Sequence, residues 1–162
     1  MLRILATVIA VAVISGCAAR GTLLKDTPAL QPLAQDQARL FIYRDAITGG
    51  IRSDMVRPDL LVNGKPIGEM QAGAVIVLVV PAGRYHVELA PPPGGPAWAG
   101  YRPVGDGQRV DVVAGSEIHL KVLLTRLVVG GSDFDIRLIA PDEARVQIES
   151  KVLQERSLPA SP

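Results

Sequence analysis

Cysteine is almost absent from this chain: there is one, Cys17, in 162 residues. That excludes an internal disulfide framework and any zinc site built on several thiolates. Aromatic residues make up 4% of the sequence, with Trp98 the one tryptophan, and there are two histidines, His86 and His119. So little imidazole and aromatic material argues against a metal centre or a chemistry-rich pocket. An excess of one charge is missing as well, with 17 Lys+Arg against 16 Asp+Glu. Nothing in that balance draws the chain to nucleic acid or to an anionic surface. No Gly-x-Ser-x-Gly elbow occurs, and Gly130-Gly131-Ser132-Asp133 reads as a turn rather than a nucleophile. The carboxylates are scattered singly, with Asp133 and Asp135 flanking an inward Phe134, so no acid/base pair stands out. The expectation is no catalytic residue, no metal and no cofactor.

What is present begins with the leader. Arg3 supplies one positive charge, residues 4–14 are apolar or small without a break, and Ser15-Gly16 precede the cysteine. A basic start, a short apolar stretch and small residues before a cut make a secretory signal peptide. The stretch is shorter than the roughly 20 residues a membrane-spanning helix needs. Ile14, Ser15, Gly16 and Cys17 resemble the bacterial lipobox, in which an aliphatic and two small residues precede the acceptor cysteine. The resemblance implies recognition of Ile14, Ser15 and Gly16 by the lipoprotein signal peptidase and diacylglycerol transfer to the Cys17 sulfur. It further implies cleavage before Cys17 and acylation of the new amine, palmitate being among the attached chains. It would also explain a lone cysteine in an exported chain, where a free thiol is a liability. Several acyl chains, at about 0.8 kcal/mol per buried methylene, make release from the membrane negligible. Ala18 stands where an Asp would mark inner-membrane retention in enteric bacteria. The expected location is therefore the outer membrane, facing the periplasm.

Beyond the leader, residues 18–37 lack a clean period and contain two prolines, Pro28 and Pro32. This segment reads as a tether holding the domain off the bilayer, with Leu30 and Leu33 able to dock. From Arg39 the period is two. Strands are predicted at 39–43, 59–62, 65–70, 74–80, 84–90, 109–113, 117–124 and 134–139. Asn63-Gly64 is a hairpin turn, because both residues tolerate positive φ. The continuous apolar run 74–80 suits a strand covered on both faces. Tyr85, Val87 and Leu89 alternate with Arg84, His86 and Glu88 as on a half-buried strand. Ile118, Leu120, Val122 and Leu124 face one way, and Glu117, His119 and Lys121 the other. Phe134, Ile136 and Leu138 point inward. Pro141-Asp142-Glu143 and the recurrence of Ala144, Ile148 and Val152 predict a helix over 141–155, with Lys151 and Glu155 one turn apart. The predicted fold is an all-β, small antiparallel β-sandwich of seven or eight strands with a short C-terminal helix. The expected division is signal peptide 1–16, lipidated tether 17–37, sandwich domain 38–156 and frayed tail 157–162.

Three stretches carry a family resemblance. Arg39-Leu40-Phe41-Ile42-Tyr43-Arg44 is similar to the opening strand of a bacterial lipoprotein family catalogued as domain of unknown function 2846. Val62-Asn63-Gly64-Lys65-Pro66-Ile67-Gly68-Glu69 resembles its Asn-Gly-Lys hairpin, and Val80-Pro81-Ala82-Gly83-Arg84-Tyr85-His86-Val87 its Pro-x-Gly turn and strand. The same pattern occurs in PEGA-type β-domains. Ala74-Val75-Ile76-Val77 departs from the pattern where an aromatic residue belongs. The resemblance covers about a third of the chain and implies a small β-sandwich lipoprotein with no assigned activity, so it transfers no functional residue.

His86 and His119, both on polar strand faces, are expected to be solvated surface residues rather than metal ligands. The loop 91–103, with three prolines at its start, Trp98 and Tyr101, is long for a connection between strands. Trp98 and Tyr101 are the candidate contact residues for an envelope protein partner, and the loop 46–57 is a lesser candidate. The expected function is a non-catalytic interaction or structural module of the cell envelope, held on the membrane through Cys17. The alternative is a lipoprotein that binds a small apolar ligand or lipid within the sandwich.

Overall fold

A computed structural model describes residues 21–27, 30–46, 56–91, 101–103, 105–128, 131–156 and 158. The protein is a two-sheet β-structure with one short helix. Its strands are β1 (Gln37–Arg44), β2 (Asp59–Val62), β3 (Lys65–Glu69), β4 (Ala74–Pro81), β5 (Gly83–Ala90), β6 (Tyr101–Pro103), β7 (Gln108–Val112), β8 (Glu117–Val128), β9 (Gly131–Ile139) and β10 (Val152–Glu155). The helix α1 covers Pro141–Ile148. A six-stranded sheet runs β10-β4-β1-β8-β9-β6 and a four-stranded sheet runs β3-β2-β5-β7.

The period-two pattern sorts side chains between the sheets. Leu40 and Ile42 of β1, Ile76, Leu78 and Val80 of β4, Val87 of β5, Leu120 and Val122 of β8, and Phe134 of β9 meet in one apolar core. On the outer face of the six-stranded sheet, Phe41, Tyr43 and Val75 form a second cluster with Ala144 and Ile148 of α1. Both faces of β1 are therefore buried, as they are for the first half of β4.

The chain passes from one sheet to the other at two tight turns, 81–83 and 113–116. Pro81 ends β4 in the six-stranded sheet and Gly83 opens β5 in the four-stranded one. There the Tyr85 hydroxyl donates to the Pro81 carbonyl at 2.9 Å. Residues 113–116 return the chain from β7 to β8, and the Ser116 hydroxyl donates to the Val113 carbonyl at 2.6 Å. The four-stranded sheet is antiparallel throughout. In the larger sheet β1 runs parallel to β8, β10 to β4 and β6 to β9. This fold is mixed where a purely antiparallel pattern was expected, and it has two more strands, β6 and β10, than the alternation reveals.

The Asn63-Gly64 turn is as expected: Asn63 has φ 51 and Gly64 φ 74. The Asn63 side chain adds a second function, accepting from the His86 backbone N–H at 2.8 Å, while Asn63 N–H donates to the His86 carbonyl at 2.8 Å. A β-branched residue resists positive φ, so Gly64→Val is expected to cost about 1 kcal/mol or more. Chemical denaturation checks this, and an unchanged midpoint would contradict it.

Several expectations are corrected. The helix ends at Ile148, not 155; Val152 lies in β10 beside Ala74 of β4. Lys151 donates to Asp45 at 2.8 Å. Leu138 is 57% exposed rather than inward, because it lies near the end of β9. Ser132 and Asp133 belong to β9 and not to a turn. Leu158, expected in a frayed tail, packs against the inter-sheet core. The segment expected as a tether with Leu30 and Leu33 able to dock is held from Thr22, and Leu30 docks as expected. Leu153 N–H donates to the Thr22 carbonyl at 2.9 Å, Leu24 N–H to the Lys151 carbonyl at 2.8 Å, and Leu24 and Leu30 pack on the outer cluster.

Candidate functional site

Ile14, Ser15, Gly16, Cys17 and Trp98 lie outside the described residues, as does most of the 46–57 loop. Tyr101 opens β6, whose backbone pairs with β9 opposite Ser132.

The two histidines part company. His86 is on β5, and His119 is on β8 in the other sheet, so their rings cannot share a metal. Among the described residues no group of three His, Cys, Asp or Glu side chains could hold a metal ion. His86 keeps a surface role: its Nδ1 is 3.4 Å from Glu88 Oε2, and its other ring nitrogen meets the Asp106 carbonyl. These residues border a cavity of about 210 Å³ at one end of the sandwich, with Leu89, Phe134 and Ile136 behind them.

His119 corrects the expectation of a solvated side chain: it is 1% exposed. The alternation does place it on the face opposite Leu120, but that outer face is itself covered, by α1 on one side and Leu24, Thr27 and Leu30 on the other. Its ring stacks on Phe41, centroids 4.8 Å apart and planes 4° from parallel. Neither ring nitrogen has a hydrogen-bond partner. Burial pulls its pKa below the usual histidine value; Glu117 opposes that shift and Arg145 adds to it. His119 and Phe41 floor a groove of about 300 Å³, walled by Leu24, Thr27 and Leu30 on one side and Arg145 and Ile148 on the other. At one end Glu117 binds Arg39 at 2.8 Å and lies 4.0 Å from Arg145. The Arg39 guanidinium also donates to the Gln31 carbonyl at 2.7 Å, pinning the N-terminal segment to β1.

Beyond the groove a polar network clamps α1 and β10 to the sheet. Asp45 accepts from Lys121 at 2.7 Å and Lys151 at 2.8 Å. Burial pushes the Asp45 carboxyl upward, but hydrogen bonds and charge from both lysines outweigh it and hold the pKa below the usual value. Gln147 of α1 accepts from the Tyr43 hydroxyl at 3.0 Å and from Lys121 at 2.8 Å. Burial, with the nearby Asp45 and Glu143 charges, pushes the Tyr43 phenol up to about 12. Both lysines are committed to ion pairs and the phenol stays protonated, so this cluster fixes position rather than moving protons. The groove, with a neutral imidazole in an apolar floor, offers a binding surface and no activated nucleophile.

A buried neutral imidazole carries a pH signature. The unfolded chain takes up a proton near pH 6.5, and folded His119 does so only at lower pH. The unfolded state thus binds more protons as pH falls below 6.5, and stability declines through that window. The Asp45 contribution is lost only lower, as pH falls below its ordinary value of 3.8. His119→Phe keeps the stack on Phe41 and removes the titration. It should flatten the decline below pH 6.5 and add about 1 kcal/mol at neutral pH by eliminating unpaired buried nitrogens. Equal loss of stability in parent and variant over that range would contradict the assignment.

The groove was not visible in the sequence, although one signal pointed to it. Phe41 and Tyr43 alternate with Leu40 and Ile42, and a strand apolar on both faces needs a cover on both. Comparisons with protein-family models, curated proteins and solved structures found no match to this chain.

Proposed function

We propose that this protein is a lipid-anchored lipoprotein of the bacterial envelope, acting as a non-catalytic contact module on the periplasmic side of the outer membrane. The observation that carries the reading is the run Ile14-Ser15-Gly16-Cys17 after a basic and apolar leader, with no other cysteine in the chain. Among the described residues no helix is long and apolar enough to cross a membrane. Membership of the lipoprotein family that the Asn-Gly-Lys and Pro-x-Gly turns resemble is part of the proposal. Leu40, Ile42, Leu78, Val87 and Phe134 fill the centre of the inter-sheet space, which favours a contact role, and the cavity beside His86 and Phe134 at one end is where the alternative ligand would sit.

The contact is proposed to run through Trp98, from the proline-rich stretch, and Tyr101, which opens β6, in a chain with few aromatics. Trp and Tyr give large contact area at low entropic cost. In-cell cross-linking should capture an envelope protein, and Trp98→Ala should weaken that association by about 1–2 kcal/mol while leaving thermal stability nearly intact. If Trp98 instead closes the end of the sandwich, the same change should cost roughly 3 kcal/mol of stability. Blue-shifted tryptophan emission resistant to acrylamide would likewise refute the contact role.

A further inference from the structure

We propose that the β10 edge of the six-stranded sheet lies against the lipid headgroups while the β9–β6 edge points away from the membrane. This rests on the anchor reading above and adds a defined orientation to it. The reason is the length of chain left between the acylated residue and the first docked one.

Four contacts fasten the N-terminal segment to that edge. Leu23 bridges antiparallel to Val152. Leu153 N–H donates to the Thr22 carbonyl at 2.9 Å, Leu24 N–H to the Lys151 carbonyl at 2.8 Å, and Lys25 N–H to the Glu149 carbonyl at 3.3 Å. The edge is itself held, since Lys151 is tied to Asp45 and β10 pairs with β4. From Cys17 to Thr22 there are five peptide units, which reach at most about 18 Å when fully extended. The 17–37 tether expected from sequence would have reached roughly 70 Å. A domain of this size has a radius of gyration of about 14 Å, so the leash is shorter than the domain is wide. The docked edge cannot rise more than about 18 Å from the acylated residue, and the domain cannot turn its far side to the bilayer. Four strand spacings of about 4.8 Å put β9 roughly 19 Å from β10 across the sheet. Charge does not set this orientation, because Lys25 is followed by Asp26, and Arg145 lies 4.0 Å from Glu117 in a groove that Glu149 also lines. The apposition should therefore be the same on zwitterionic lipid and at high salt.

The test uses the full lipidated protein in phosphatidylcholine vesicles carrying a nitroxide on the headgroup. A maleimide fluorophore is placed at Ser150→Cys, in the exposed turn before β10, or at Arg137→Cys, exposed on β9. The thioether on Cys17 leaves the introduced thiol as the one reactive site. Quenching several-fold stronger at position 150 than at 137 is expected. A twelve-residue Gly/Ser insertion between Ala19 and Arg20 should erase most of that difference. Equal quenching at the two positions on vesicle-bound protein would overturn the orientation and leave the anchor standing. A Cys17 that itself takes the maleimide, in protein that stays off the vesicles, would overturn both.

Discussion

Cys17→Ala is expected to abolish lipid labelling and to leave the precursor uncut by the lipoprotein peptidase, with its apolar leader still attached. The expectation follows from chemical order: in the lipobox scheme the thioether on the cysteine sulfur precedes the cut, and alanine has no sulfur to acylate. The effect on labelling is all-or-none, because no acceptor atom remains. Fractionation after radiolabelled palmitate feeding reads both parts. A variant processed and membrane-bound like its parent would contradict the anchor.

Arg44→Ala is expected to be the most damaging substitution inside the domain. Arg44 is 1% exposed at the end of β1. Its Nη1 donates to the Val56 carbonyl at 2.7 Å and the Met70 carbonyl at 3.2 Å, tying β1 to the segments that flank β2 and β3. The guanidinium lies 4.8 Å from the centre of the Phe134 ring. Alanine would strand two buried acceptors, at about 1–3 kcal/mol each when unpaired, and leave a cavity beside Phe134. A loss of about 3 kcal/mol or more is expected, equivalent to a fall in Tm of roughly 10 °C or more. Arg44→Lys should recover only part of this, because a compact, strongly hydrated ammonium does not stack on the Phe134 ring as the guanidinium does. A melting temperature within about 2 °C of the parent would show that these bonds contribute little.

Residues whose conformation is decided locally were legible in the sequence. Asn63-Gly64 announces its turn because positive φ selects those two residue types. The alternation of Tyr85, Val87 and Leu89 places β5 because one face is wet and the other dry. Sheet membership was not legible. Nothing local distinguishes the 81–83 and 113–116 turns, which carry the chain between sheets, from hairpins within one. β10 was misread because Ala144, Ile148 and Val152 keep a four-residue spacing that also suits a helix. Pairing prevails there: the doubly covered start of β4 would otherwise present a bare edge at Ala74, and residues 152–155 fill it. The tether was misread for a related reason. Residues 22–24 carry no period, and their docking is made by backbone groups, which leave no pattern in side chains. His119 looked solvated because its strand alternates correctly, whereas its burial depends on α1 and the N-terminal segment lying over that face.

The central claim is that this domain is held to the membrane by lipid on Cys17. The most direct measurement is the mass of the N-terminal peptide of the protein extracted from its own membrane. The account predicts a peptide beginning at Cys17, heavier than its sequence by a diacylglyceryl group and an amide-linked acyl chain. A peptide of unmodified mass with a free Cys17 thiol, or one beginning at Met1, would contradict it.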